Sequence, residues 1–219
     1  MTKKLFMFSG GLDSLTMLAA EDLPKENLRC VYLDYDAKAR KQELIACREI
    51  CHYYQVEFDI IKLDSINEVM SCALTAEGEE VPKGVFDGKG DDKKVIPFRN
   101  GIMLSILTAY AIKHGFDEIE VGFNDVGIGT APDASDEFAG FMKEAIRLGS
   151  GGKVSLLAPF TSFEKWEICK LALDCEAPIW LSYSCFTGRE KHCGLCGSCE
   201  GRLEGFKKLG KLDAVLYEV

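Results

Sequence analysis

The sequence predicts an α/β domain built on a doubly wound parallel sheet, and three observations carry that expectation. Short apolar runs alternate with helical stretches from residue 4 onward, and such alternation implies parallel strands joined by right-handed crossovers. The first apolar run leads straight into a glycine turn and a helix. The 219 residues, 47% apolar and 28% charged, suffice for one sizeable domain with an appendage.

Lys4–Phe8 (KLFMF) reads as a short buried strand and Leu12–Asp22 as the helix after it. Leu28–Tyr35 is the second strand, Arg40–Tyr54 has helical periodicity, and Val56–Leu63 is the third strand. Thr75–Lys94 is polar and rich in glycine and charge, which fits either a lid over a binding site or a floppy insertion. Asn100–Gly115 is a strongly apolar helix, Asp117–Phe123 a fourth strand, Ser135–Leu148 a further helix and Lys153–Phe160 a final extended segment. A helix from Thr161 opens on a capping-box pattern, Thr161 with Glu164. A cysteine-rich segment follows, closed by a helix to about Leu209. The division is a domain over 1–180 and a C-terminal segment over 181–219.

The net charge of −9 argues against a protein that coats nucleic acid, which calls for basic surface. No apolar run approaches a membrane span, and the start lacks the pattern of a signal peptide. The expectation is therefore a soluble, cytoplasmic protein. Of the ten cysteines, Cys30, Cys47, Cys51, Cys72, Cys169 and Cys175 are scattered and read as small core residues.

The glycine turn reads SGGLDS, Ser9 to Ser14. A strand, a tight turn and a helix N-terminus make an anion site from unpaired N–H groups and the helix dipole. Gly10 and Gly11 let the backbone approach phosphate oxygens, and Ser9 and Ser14 add hydroxyls. No lysine-bearing G-x-x-x-x-G-K-[ST] loop exists in the chain. A carboxylate beside phosphate is repelled unless a divalent cation lies between them, so Asp13 suggests Mg²⁺; the blander role is a helix cap.

Cys185-x7-Cys193-x2-Cys196-x2-Cys199 supplies the four thiolates of a tetrahedral structural zinc. Gly194 and Gly197 permit tight turns between the last three. An iron–sulfur cluster is the alternative for the same ligand set. His192 reads as a neutral neighbour.

SGGLDS resembles the SGGxDS signature of the PP-loop ATP pyrophosphatases, a Rossmann-like family that cleaves ATP between its α and β phosphates. With the four cysteines, the chain is similar to the 7-cyano-7-deazaguanine synthase family of the queuosine pathway. VIPFRN, IEVGFND…PD…EF and SYSCFTG…HCGLCGSC resemble that family's VPxRN, I-x-x-G-x-N…PD…EF and SxSCYNG…CGxCxxC segments. The resemblance implies ATP-dependent adenylation of 7-carboxy-7-deazaguanine, then attack by ammonia to an amide and a second ATP-driven dehydration to the nitrile. It implies ATP, Mg²⁺ and one structural Zn²⁺, and a homodimer. By position Ser9, Gly10, Gly11, Leu12, Asp13 and Ser14 hold pyrophosphate and metal. Asp13, Ser14, Arg99 and Asn100 are the catalytic candidates; Arg99 pairs with substrate carboxylate or phosphate, and Asn124 and Asp133 bind substrate, Asp133 through the guanine-like edge. Blander roles are an ion pair for Arg99, a helix cap for Asn100 and a turn for Asp133.

Two segments depart from the family. Its DYGQxH reads DYDAKAR here, with Asp36, Ala37 and Ala39 for Gly, Gln and His. Its NxxDYSGYPDCR reads NDVGIGTAPDAS, with Gly127, Ile128, Gly129, Thr130, Ala131, Ala134 and Ser135 for Asp, Tyr, Ser, Gly, Tyr, Cys and Arg. Donors and aromatic bulk are lost while the ATP loop stays whole, which leaves room for a larger acceptor, a peptide or protein amine, as a phage-defence role would use. Two other readings are a zinc-bearing binding module with an inert nucleotide site, and a tRNA-modifying ligase of the same superfamily. The acidic balance suits neither as a nucleic-acid binder.

Overall fold

The computed structural model describes residues 2–64, 66–69, 71–75, 78–84, 95–124 and 131–218. In chain order the elements are β1 (Lys4–Met7), α1 (Leu12–Ala19), β2 (Leu28–Asp34), α2 (Arg40–Tyr54), β3 (Glu57–Lys62), α3 (Arg99–His114), β4 (Glu118–Glu120), α4 (Asp136–Gly149), β5 (Ser155–Leu157), α5 (Lys165–Asp174) and α6 (Gly197–Lys208). The strands form one sheet in the order β3-β2-β1-β4-β5, and every neighbouring pair is parallel. This is the doubly wound α/β architecture expected from the alternation of elements.

Strand residues alternate between the two faces. Phe6 and Phe8 of the first strand segment, with Cys30 and Tyr32 of β2, pack with α1, α2, α5 and α6. Leu5, Val31 and Leu33 face the opposite way and pack with α3 and α4. The expected core role holds for four of the six scattered cysteines, Cys30, Cys47, Cys51 and Cys169, which are buried; Cys72 and Cys175 are half-buried, and all six are free thiols. Lys4, buried at the lower end of β1, is neutralised by Glu120 at 2.7 Å and by Glu21. Among the described residues, no helix is long and apolar enough to cross a membrane.

Element ends differ from the sequence reading where local chemistry intervenes. The helix expected from Thr161 starts four residues later, because Glu164 is its N-cap and the capping box joins Glu164 to Glu167. Thr161 is spent on a tertiary bond instead, donating to Asp136 Oδ1 at 2.8 Å. The helix expected from Ser135 is capped by that residue, whose Oγ accepts from Phe138 N at 3.2 Å. Strand pairing of the fourth strand covers Glu118–Glu120, with one further bond from Val121 N to the Leu157 carbonyl at 2.9 Å, after which residues 122–124 run toward the site.

The strand order reverses between β1 and β4, and ligands of open α/β sheets bind where strand order reverses, beyond the C-terminal strand ends. Ser9 to Ser14 leaves β1 at this point, and Gly122 to Asn124 leaves β4 beside it.

Candidate active site

After β1 the chain turns at Gly10, whose φ of 73° lies in the left-handed region that glycine adopts without steric cost. A Cβ there would fall 2.9 Å from the Glu43 carbonyl and 3.0 Å from Cys47 N, so α2 rests directly on the turn. Gly11 has φ −73° and ψ 172° and is the N-cap of α1, with no side chain to cap the helix. Three hydroxyls collar the turn. Ser9 Oγ accepts from Gly11 N at 3.3 Å and lies 3.4 Å from Ser14 Oγ. Ser14 Oγ donates to the Gly11 carbonyl at 3.1 Å. Ser184, from the cysteine segment, accepts from Leu12 N at 3.3 Å.

Asp13 points from the first turn of α1 to Lys165 at the start of α5. Lys165 Nζ donates to Oδ1 at 2.7 Å and to Oδ2 at 2.8 Å. A lysine absent from the loop itself is therefore supplied by a helix 152 residues later. Gly122 permits this approach, since a Cβ there would sit 3.3 Å from Asp13 Cβ and from Met17 Cε.

The loop forms one wall of a cavity of about 340 Å³, within the size range of small-molecule sites. Ser9, Gly11, Leu12, Asp13, Ser14, Lys165 and Ser184 line it on that side, and Arg99, Asn100, Asn124 and Glu43 line it elsewhere. Arg99 Nη1 donates to Tyr35 Oη at 3.2 Å, and the guanidinium lies 5.7 Å from the Tyr35 ring centroid. No carboxylate of the described residues reaches ion-pair distance of Arg99. Glu43 Oε2 accepts from Tyr32 Oη at 2.6 Å. Burial pushes the Glu43 carboxyl up, against the opposing pull of that bond and of Arg99. Asn124 donates through Nδ2 to the carbonyls of Phe160 and Phe163, which fixes the amide. Its buried Oδ1 has no hydrogen-bond partner among the described residues.

Asp133 and Asn100 hold each other rather than both facing the cavity. Asn100 N donates to Asp133 Oδ2 at 2.8 Å and Asn100 Nδ2 to the Asp133 carbonyl at 2.9 Å. Asp133 thus satisfies an orphan N–H of the first turn of α3 from a neighbouring turn, and it is absent from the cavity lining.

The four cysteines of the C-terminal segment converge: their Sγ atoms all lie within 4.8 Å of one another and are buried. Cys193 and Cys199 Sγ are 3.9 Å apart, close to the roughly 3.8 Å edge of a tetrahedron with about 2.3 Å Zn–S bonds. Backbone N–H groups of Leu195 and Cys196 point at Cys193 Sγ, and that of Cys193 at Cys185 Sγ, an environment that stabilises thiolates. Hydrogen bonds from Cys196 and Cys199 pull the Cys185 thiol down, and the same contacts push those two up. Only a cation lets all four ionise together, so the donor set fits a metal such as zinc. Gly194 makes its turn with φ 73°, whereas Gly197 opens α6. His192 is the neutral neighbour expected: burial lowers its pKa to about 4, and its Nε2 accepts from Ser184 N at 3.1 Å.

The metal segment also reaches the loop. Tyr183 N donates to the Gly10 carbonyl at 2.8 Å. Arg202 of α6, buried and paired with Asp213 at 2.6 and 2.9 Å, donates to Ser182 Oγ and Ser184 Oγ at 2.8 and 3.1 Å. Of the Thr75–Lys94 segment, residues 75 and 78–84 are described: Val81, Pro82 and Gly84 line the cavity, and Gly84 N bonds to the Leu195 carbonyl at 2.9 Å. Residues 85–94 lie outside the described residues, as do Gly127 to Thr130.

Of the expected site residues, the fold brings Ser9, Gly11, Leu12, Asp13, Ser14, Arg99, Asn100 and Asn124 to one cavity, with Gly10 and Asp133 behind its walls. Lys165, Glu43, Ser184 and Arg202 were not among the sequence candidates. Lys165 and Glu43 sit in ordinary amphipathic helices, where nothing separates them from surface charge. Ser184 adjoins the first cysteine of the cluster, which was a usable signal.

Comparison with known proteins finds relatives along nearly the whole chain. Residues 3–210 match the family described as "Queuosine biosynthesis protein QueC". The 7-cyano-7-deazaguanine synthase of Methanosarcina barkeri is 35% identical, with 98% of this chain and 97% of the relative covered. That of Desulfotalea psychrophila is 32% identical over the whole of both chains. Among solved structures, NMN synthetase from Francisella tularensis overlaps 96% of this chain and 78% of its own, at a TM-score of 0.48 and 15% identity. The chain belongs to the QueC family and is an enzyme of the ATP-dependent ligase class.

Proposed function

We propose that the chain activates a 7-deazaguanine carboxylate with ATP and passes the acyl group to an amine. One observation carries this reading: a single cavity joins the loop at the N-terminus of α1, the Asp13–Lys165 pair and the Arg99 guanidinium. The loop suits an anion, and the absence of a carboxylate partner at Arg99 among the described residues leaves a second cation for an anionic substrate group. The names of the curated relatives point to 7-cyano-7-deazaguanine as the product type.

In this scheme Ser9, Gly11, Leu12 and Ser14 hold the pyrophosphate portion of ATP, with Lys165 drawn from Asp13 toward phosphate. Asp13 would hold Mg²⁺, which neutralises phosphate charge when bound. Arg99 orients the substrate carboxylate. A carboxylate oxygen attacks the α-phosphorus, the bond to pyrophosphate breaks, and an acyl adenylate forms. The amine then attacks the carbonyl carbon, AMP leaves with the C–O bond electrons, and the amine gives up a proton to yield an amide. The four cysteines, all buried, would hold zinc in a structural role.

A specific observation favours a larger acceptor than ammonia. Ala37, Ala39, Ala131 and Ala134, four of the positions where the family pattern has Gln, His, Tyr and Cys, line this same cavity. Their truncation adds room and removes donors on one site.

The experiment is AMP and pyrophosphate release from ATP by the purified protein with and without 7-carboxy-7-deazaguanine. Release only in the presence of the acid supports activation, and no AMP with the acid present refutes it. Mass spectrometry with ammonium as sole amine, or with a peptide amine, then separates nitrile, amide and conjugate. Exchange of Lys165 for Ala is expected to lower AMP formation about 100-fold or more, with a small change in melting temperature.

A further inference from the structure

Ser184 belongs to the cysteine segment, yet its hydroxyl lies in the collar around the glycine turn and lines the cavity. A serine hydroxyl offers one proton and two acceptor lone pairs. Both acceptor positions of Ser184 are engaged, one by Leu12 N at 3.3 Å and one by Arg202 Nη1 at 3.1 Å. Its proton has no acceptor among the described residues. Ser182 and Ser14 differ in this respect. Ser182 accepts from Arg202 and donates to the Ile179 carbonyl at 2.7 Å, and Ser14 donates to the Gly11 carbonyl. Ser184 thus keeps its proton for a ligand in the cavity that it lines.

Arg202 makes that donor stronger. Its guanidinium is buried, held by Asp213 through two bonds and by the Ile179 carbonyl at 3.4 Å. A charged donor on the hydroxyl oxygen polarises the O–H bond and favours an anionic acceptor. Leu12 N, the other partner, is one of the helix N-terminal groups that attract phosphate.

We propose that Ser184 is a phosphate-binding residue that donates its hydroxyl proton to the pyrophosphate portion of ATP, with Arg202 as its positioning residue. This rests on the adenylation reading and extends it: the cysteine segment contributes a side chain to the ATP site. The ligand is an oxyanion at the loop, supplied by pyrophosphate rather than by the substrate carboxylate, which Arg99 addresses.

The test is isothermal titration of the full-length, zinc-loaded protein with MgATP, with pyrophosphate and with 7-carboxy-7-deazaguanine. Ser184→Ala is expected to bind MgATP and pyrophosphate about 10- to 100-fold more weakly, the loss of one hydrogen bond to a charged group, and to bind the acid unchanged. Ser184→Thr keeps the hydroxyl and stays within about threefold of wild type, while Ser184→Val, of the same shape, shows the loss; this pair decides the matter should the alanine variant unfold. Ser182→Ala removes an equivalent Arg202 contact outside the cavity, so it lowers the melting temperature without changing pyrophosphate affinity. Unchanged pyrophosphate binding by Ser184→Ala overturns the proposal, as does an equal loss in Ser182→Ala. Failure of the wild type to bind MgATP and pyrophosphate overturns the adenylation reading itself, and the Ser184 assignment with it.

Discussion

Gly10 and Gly11 are adjacent, and the structure gives them opposite jobs that two alanine substitutions separate. At Gly10 the added methyl meets backbone: 2.9 Å to the Glu43 carbonyl, 3.0 Å to Cys47 N and 2.9 Å to Ala46 Cβ, at φ 73°. The left-handed conformation costs an alanine about 1 kcal/mol. Overpacking against an unyielding helix adds about 1–3 kcal/mol. A total near 3 kcal/mol lowers the melting temperature by about 6–12 °C in a domain of this size. At Gly11 the φ is −73°, and the nearest atom to an added methyl is Ser9 Oγ at 3.3 Å, with Ser184 Oγ at 3.8 Å. Those are movable hydroxyls beside the cavity, so the melting temperature falls by less than about 4 °C. MgATP affinity, however, drops about tenfold or more because the methyl occupies the approach to the N–H groups. Thermal unfolding by circular dichroism and titration calorimetry give both readouts. A Gly10→Ala protein that melts within about 2 °C of wild type, or a Gly11→Ala protein that melts lower than it, refutes the division.

Elemental analysis should find one zinc per chain, and a strong chelator or Cys193→Ser should lower the melting temperature by about 10 °C or more and abolish MgATP binding, because residues 183 and 184 brace the loop. Glu43→Gln keeps a partner for Tyr32 but cannot ionise. The folded-state pKa of Glu43 is raised, so its stability contribution is full below the ordinary carboxyl range and is lost as pH rises through the folded value. The variant should therefore melt with wild type near pH 4 and progressively above it toward pH 8, as differential scanning fluorimetry will show; a gap that shrinks with rising pH contradicts the burial argument.

The sheet and its helices were legible because hydrophobic periodicity is a local property: Arg40–Tyr54 reads as a helix and folds as one. The four cysteines were legible for the same reason, three of them within seven residues. The capping box was misplaced by three residues because Thr161 and Glu164 can both cap, and a tertiary bond to Asp136 decides between them. Asp133 carries the right chemistry for a purine-like edge, yet its carboxylate closes the open end of α3, which no sequence spacing reveals. Lys165 and Ser184 reach the loop across more than 150 positions. Such pairings arise only when α5 and α6 pack on the face that carries α1.

The bracing of the loop by Tyr183 and Ser184 sets a timetable for biosynthesis. Residues 9–14 leave the ribosome early, but the partner of Leu12 is translated 172 positions later, roughly 10–30 s at ordinary elongation rates. For most of that interval the nascent chain can pair β1 with β2 but lacks Lys165 to meet Asp13, and to its end it lacks Ser184 to meet Leu12. The braced form of the loop is therefore a property of the nearly finished chain, and fragments from interrupted synthesis or proteolysis before residue 184 carry the loop sequence without its bracing partners.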